Sequence, residues 1–187
     1  YLGHIITNDG RILMDPKKIR AIKEFATPTD VQQLWSFLSL AGYYRHFIDR
    51  FADIASPLWK ATRKRYVWNW TPEMDAAFQL LKEKLSSEPV LCRADFSRPF
   101  MVETDASPNA ISGILSQLDD HGQPYVVAYA SRGLTDAERK WDTREHEALA
   151  IIWACESFRS YLYGDHFDIY SDHESLQWLR DTKKRGR

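Results

Sequence analysis

Apolar positions recur along this chain with two periods, and the change between them divides it. Up to Leu85 the spacing is mostly three and four, as for helices packed on one face; from about residue 90 it falls to two, as for half-buried strands. Tyr1 to Ile6 and Arg11 to Met14 read as a strand pair joined by the turn Asn8-Asp9-Gly10. Asp15 and Pro16 start a helix, Asp as N-cap and Pro in the first helical position, with an apolar stripe of Ile19, Ile22 and Phe25. Thr27-Pro28 breaks it. Thr29 with Gln32 predicts a capping box for the next helix, which would bury Val31, Leu34, Leu38 and Ala41. The pattern runs on through Tyr43 to Phe51 as an aromatic, basic helical stretch. Arg63-Lys64-Arg65 reads as a loop, and Tyr66, Trp68 and Trp70 then alternate. Thr71-Pro72-Glu73 opens a helix with a buried row at Met74, Ala77, Phe78, Leu81 and Leu85, ended by Ser86-Ser87-Glu88-Pro89.

Beyond residue 90 the strands fall at Phe100 to Asp105, Ala110 to Gln117, Tyr125 to Ser131 and Phe167 to Asp172. Thr135 and Glu138 cap a short helical turn. Thr143 begins a long helix reaching about Tyr161, stopped by Gly164, and Glu174 to Arg180 starts another. The order β-β-β-α-β-α, hairpins followed by a helical crossover, predicts a mixed sheet with helices on its faces. The fold class is α/β (α+β): a small helical region followed by that sheet.

Charge reinforces the division. The net charge is only −1, but residues 1–70 carry 11 Lys/Arg against 6 Asp/Glu, and residues 71–187 carry 14 against 20. A basic front suits a phosphate backbone, and an acidic rear suits cations. Aromatic residues make up 13% of the chain, enough for large cores and for stacking on bases. Cys92 and Cys155 have no partner at zinc spacing and form no disulfide framework. No apolar run approaches the length of a membrane span. Tyr1 opens inside a predicted strand and the chain closes in a charged stretch, so an internal segment of a longer protein is expected.

Three acidic residues stand at special positions. Asp105 closes the first strand of the rear half and Asp172 closes the fourth. Glu147 lies near the start of the long helix, in line with Ala150, Ile151, Ala154 and Phe158, so its carboxylate is directed at the sheet. Glu145 faces elsewhere. If the first and fourth strands are parallel neighbours, Asp105 and Asp172 end side by side. Three converging carboxylates repel one another unless a cation intervenes. Oxygen ligands without His or Cys predict Mg²⁺ or Mn²⁺, and two such ions clamp the attacking and leaving oxygens of a phosphodiester. Taken singly, a strand-end Asp is ordinarily a turn or cap residue, and a Glu near a helix start serves the helix dipole.

Longer motifs bear on the same residues. Phe100-Met101-Val102-Glu103-Thr104-Asp105-Ala106-Ser107, Ala128-Tyr129-Ala130-Ser131-Arg132, Glu147-Ala148-Leu149-Ala150-Ile151, Phe158-Arg159-Ser160-Tyr161-Leu162-Tyr163-Gly164 and Ser171-Asp172-His173 occur in that order. Together they resemble the ribonuclease H domain of gypsy-type (Metaviridae) LTR-retrotransposon Pol polyproteins. Upstream, Tyr1-Leu2-Gly3-His4 resembles the primer-grip hairpin of the reverse transcriptase. The run from Phe37 to Ile48 resembles its thumb, and Trp68 to Phe78 its connection. The resemblance implies residues 1–70 as primer grip, thumb and start of the connection, 71–95 as connection helix and linker, and 96–187 as an incomplete ribonuclease H-like domain. It implies Asp105, Glu147 and Asp172 as the first three of four metal-binding catalytic acids. The enzyme would cut the RNA strand of an RNA/DNA hybrid with two Mg²⁺ (or Mn²⁺) ions, and its parent would be an RNA-directed DNA polymerase. The polymerase aspartates would precede Tyr1 and the fourth nuclease acid would follow Arg187.

Expected partners are an RNA/DNA hybrid, a template-primer duplex and the remainder of the polyprotein, with no membrane and an intracellular setting. Tyr1, Gly3, Tyr43, Arg45 and Arg50 are the expected nucleic-acid contacts, although the aromatics around Tyr44 and Phe47 also suit a helix core. Glu103 is a reserve metal ligand, His173 and His4 read as structural, and Lys17, Lys18, Arg20 and Lys23 form a solvated face. The rival reading is a non-catalytic nucleic-acid-binding remnant of a decayed element.

Overall fold

The computed structural model describes residues 3–87, 89–164 and 166–171. Strands β1 (His4–Ile6) and β2 (Arg11–Met14) pair antiparallel across the predicted turn. Helix α1 (Pro16–Lys23) starts as expected, the Asp15 carboxylate accepting the Lys17 N–H at 2.8 Å. Helix α2 (Val31–Tyr43) does not use the predicted cap. Its N-cap is Asp30, which accepts the Gln33 N–H at 2.8 Å, while Gln33 Oε1 accepts the Thr29 N–H at 3.1 Å. The capping logic holds but lies one residue later, because Asp caps at least as well as Thr.

The expected continuation of that helix to Phe51 fails. After α2 come a 3-10 turn (Arg45–Phe47), then α3 (Phe51–Ile54) and α4 (Ser56–Ala61). Tyr44, Phe47, Ile48 and Phe51 are all buried at helical spacing, which explains the sequence signal. The intervening backbone is instead committed to the sheet beside it. His46 Nδ1 lies 3.1 Å from the Tyr129 carbonyl, and the Ala52 N–H donates to Ser131 Oγ at 2.9 Å. Helix α5 (Pro72–Ser86) buries the predicted row entire, its first turn capped by Thr71. Strand β3 (Leu91–Cys92), too short to read from periodicity, pairs with β2 and completes a three-stranded sheet in the order β1-β2-β3. One core joins these elements, running from Met14 through Phe37, Leu38 and Phe78 to Leu91.

The second sheet holds β4 (Phe100–Ala106), β5 (Ala110–Leu118), β6 (Pro124–Gly133) and β7 (Phe167–Ser171) in the order β6-β5-β4-β7. Strands β4 and β7 are parallel and the other pairs antiparallel, the mixed sheet that the element order predicts. Helix α6 (Thr143–Ser157) begins in a capping box of Asp142 and Glu145, which accounts for Glu145 turning away from the sheet. It ends at Phe158, and a separate turn of helix, α7 (Arg159–Leu162), carries the chain to Gly164 at φ +97°.

Helix α6 covers one face of this sheet. A Cβ on Gly113 of β5 would lie 3.0 Å from the Ala154 Cβ and 3.2 Å from Phe158 Cε2, so glycine lets the helix approach the strand. Ala150 packs with Ile111 and Ala106, whereas Phe158 joins Phe100 and Val102. The helix therefore runs antiparallel to β4, with its first turns at the strand's C-terminal end. The other face meets the helical half. A register shift between Leu115 and Ser116 places an extra residue in β6, so Val126 and Tyr129, three apart, both pack on the first core. The sheet is thus the middle of three layers. No helix among the described residues is long and apolar enough to cross a membrane.

Candidate active site

Alternation along β4 decides which side chains meet. Phe100, Val102 and Thr104 are buried under α6, and Glu103 and Asp105 point to the opposite face, toward the helical half. Asp105 pairs with Ser112, and Ser112 pairs with Ser131, so the three side chains form one row across that face. The segment after α2 lies over this row. Arg50 Nη2 stands 2.9 Å from Asp105 Oδ2, Ala52 is bonded to Ser131, and the Ser107 hydroxyl donates to Asp53 Oδ1 at 2.9 Å. Arg50 has φ 56° and ψ 30°, which makes it the one non-glycine residue with positive φ among those described.

A hollow of about 420 Å³ adjoins this pair, with Asp49, Glu103 and Asp105 in its wall beside Arg50 and Tyr170. Burial raises the pKa of Asp49; Arg50 opposes the rise and the charge of Asp105 adds to it. The rise is chiefly a cost of burial, and Arg50 is the cation that offsets it.

Glu147 is only 4% exposed and sits two turns before Ala154, on the sheet-facing side of α6. The direction of α6 brings it to the same end of β4 as Asp105, under the opposite face. The parallel ladder ends in the pair Thr104↔Ser171, one residue short of Asp105 and Asp172. Asp172 itself lies outside the described residues, as do Tyr1, His173 and the predicted helix after it. Among the described residues no three Asp, Glu, His or Cys side chains are gathered to hold an ion.

The donor chemistry nonetheless suits a divalent cation. Asp105 already holds a positive group, and carboxylate oxygens are the ligands Mg²⁺ takes. Thr104 Oγ1 and Ser171 Oγ, neighbours in the ladder below α6, are buried with no hydrogen-bond partner among the described residues. The end of the ladder is thus polar on the helix side as well.

The expected nucleic-acid contacts divide. Gly3 has φ +73°, and its carbonyl accepts the Tyr44 hydroxyl at 3.0 Å. Tyr44 is fully buried, so this contact is a brace between the hairpin and α2. Tyr43 is exposed and stacks on His4 at 5.7 Å. Arg45 is exposed and lines two surface hollows. Arg50, expected on nucleic acid, faces Asp105. Its partner is one that sequence reasoning missed, because only the left-handed backbone aims it there. Arg132 was missed too: both its terminal nitrogens donate to Glu138, at 2.8 and 2.9 Å.

Comparison with known proteins bears on the whole arrangement. A family model described as the RNase H-like domain found in reverse transcriptase matches residues 70–169. The Pol polyprotein of transposon 297 from Drosophila melanogaster is 41% identical over 187 residues, covering 100% of this chain and 17% of that protein. That of transposon gypsy, from the same organism, is 38% identical, covering 94% of this chain and 18% of that protein. The Tf2-3 polyprotein of Schizosaccharomyces pombe is 32% identical, covering 94% and 13%. The chain thus spans less than a fifth of each of these relatives. Among solved structures, the foamy viral protease-reverse transcriptase in complex with RNA/DNA hybrid aligns with TM-score 0.77 and 26% identity, over 100% of this chain and 25% of that one. The same enzyme in complex with dsDNA aligns with TM-score 0.76 over 97% and 38%.

Proposed function

The chain belongs to the family of RNase H-like domains found in reverse transcriptase, and from that membership we propose a metal-dependent nuclease acting on the RNA strand of RNA/DNA hybrids. In this reading residues 1–70 are primer grip, thumb and start of connection, 71–95 the connection helix and linker, and 96–187 the nuclease portion. The whole polyprotein would also carry RNA-directed DNA synthesis, on segments other than this one. Asp105, Glu147 and Asp172 are the proposed ligands for Mg²⁺ or Mn²⁺.

The observation that carries the reading is the parallel pairing of β4 and β7, in register through Thr104↔Ser171. The reading requires Asp172, which lies outside the described residues, to stand beside Asp105 at the end of that pairing. Bound divalent ions would supply an activated water and neutralise charge on the phosphodiester. The chain's own residues do the rest. Asp105 would hold the ion through the carboxylate that now faces Arg50. Glu147, held in a helix braced against Gly113, brings a carboxylate whose position does not depend on a loop. Ser107 and Asp53 fix the turn after β4, which holds Asp105 in place.

Cleavage of end-labelled RNA in an RNA/DNA hybrid, by this chain within its polyprotein and across a Mg²⁺ titration, tests the reading. Asp105→Asn should lower the rate about a hundredfold or more, since a lost ligand removes several kcal/mol of charge stabilisation. Equal cleavage by the variant would refute the assignment. Hybrid binding with no cleavage by either protein would favour the non-catalytic remnant.

A further inference from the structure

Residues 49–53 form a ridge on the sheet face. On one side is the acidic hollow of Asp105. On the other, between α4 and the end of β6, lies a cleft of about 340 Å³ whose wall carries Arg45, Lys60, Arg63, Arg132 and Arg139 and no acidic residue. Behind the wall only two carboxylates among the described residues answer these five cations. Glu138 takes Arg132, and Asp136 takes Arg139 at 2.9 Å and Arg63 at 3.9 Å. Arg45 and Lys60 have no ion pair among the described residues, so the cleft keeps an excess of about three positive charges, a field that attracts anions. Arg139 Nε is moreover a buried donor without an acceptor.

Trp59, in the same wall, is 37% exposed and meets Trp35, 45% exposed, edge to face at 5.4 Å. Two partly exposed indoles beside an uncompensated basic cleft match a strand whose bases are free to leave a helix. Duplex bases are stacked on each other and offer no face to such a ring.

We propose that this cleft is a site for single-stranded nucleic acid, with phosphates held by Arg45, Lys60 and Arg139 and an unpaired base stacked on Trp59. The site is distinct from the acid end. The row Asp105–Ser112–Ser131, whose last member lines the cleft, spans two strand spacings, about 10 Å. Where the nuclease reading of the preceding section holds, an unpaired stretch a few nucleotides from the cleaved bond would reach the cleft.

The test is fluorescence anisotropy of a labelled oligothymidylate with the whole chain, at several salt concentrations and with chelator in place of divalent ions. Each phosphate neutralised adds about 0.7 to the salt slope for a single strand, so Arg45→Ala with Lys60→Ala should flatten it by about 1.4. Trp59→Leu should weaken binding about fivefold to a hundredfold, and Trp59→Phe should keep most of it. Blunt duplex DNA should feel the cation pair and not the Trp59 change. An unaltered salt slope, equal binding by the Leu and Phe variants, or an oligothymidylate that does not bind would each overturn the proposal. Because no divalent ion is present, these outcomes are independent of whether Asp105 supports cleavage.

Discussion

Arg50 offers a measurement in which backbone strain and ion pairing pull in opposite directions. Its left-handed conformation costs a residue bearing a Cβ about 1–2 kcal/mol. What offsets the cost is the contact with Asp105, but the two side chains are 46% and 40% exposed, so water and salt screen it. Such a pair contributes about 0.2–1 kcal/mol. Arg50→Ala keeps the strain and loses the pair, and should destabilise the chain by about that amount. Arg50→Gly loses both; against the relief of strain stands the larger entropy of glycine in the unfolded chain, about 0.4–1 kcal/mol. The glycine variant should therefore exceed the alanine variant by up to about 1 kcal/mol and come close to the original. For a chain of this size that is a difference of about 2–4 °C in Tm. Urea unfolding followed by circular dichroism, at low and high salt, resolves the two contributions. Salt should erase the gap between Arg50 and Arg50→Ala and leave the gap between Ala and Gly. An alanine variant at least as stable as the glycine variant would mean that residue 50 carries no strain, and a gap between Arg50 and Arg50→Ala that salt leaves unchanged would mean that the Asp105 contact contributes nothing.

Other positions give sharper changes. Gly113→Ala should cost about 1–3 kcal/mol, because its Cβ meets Ala154 at 3.0 Å; Ala154→Gly in the same chain should restore part of the loss in the same unfolding assay. Glu138 is held at a pKa of about 2, chiefly by Arg132, against 4.5 unperturbed. Its folded pKa is depressed, so its contribution is complete above about pH 4.5 and is lost as the pH falls toward about 2. Arg132→Met should remove about 1.5–3 kcal/mol at neutral pH and flatten the acid limb of stability plotted against pH; an unchanged limb would contradict the pairing. Tyr44→Phe, which deletes the donor to the Gly3 carbonyl, should cost about 0.5–1.5 kcal/mol and speed amide exchange at Asp15, whose N–H shares that carbonyl.

What could be read from the sequence followed from periodicity and capping, both local. The row on α5, the four long strands and the start of α6 needed only neighbours in the chain. Three features escaped because distant residues decide them. Strand β3 has two residues, too few for a period, and exists because β2 has an open edge. The stretch after Tyr43 carries helical spacing, yet it breaks where His46 and Ala52 bond to β6. Arg50 resembles the other arginines of a basic segment until its φ is known. The acids fared differently. Glu147 is buried, as its place in the apolar row of α6 implied. Asp105 lies one residue before the end of the strand that pairs in parallel with β7, but alternation turns it to the face away from α6, which a reading of strand ends alone does not register.

The change of period near residue 90 divides the secondary structure and not the chemistry. If the sheet and α6 were a self-sufficient nuclease unit, the opposite face would be solvated and polar. Instead Val126 and Tyr129 pack on the first core, and Ser107, Ser131 and Asp105 all take partners from residues 50–53. The helical half therefore supplies the wall of the acidic hollow, the cation resting on Asp105 and, through Arg45, Trp59, Lys60 and Arg63, one side of the basic cleft. Nucleic acid spanning both hollows would contact the two halves at once. Its affinity would then depend on the ridge that joins them, so a substitution at Asp53 or Ser131 that touches neither phosphate nor metal should still alter how a strand is seated.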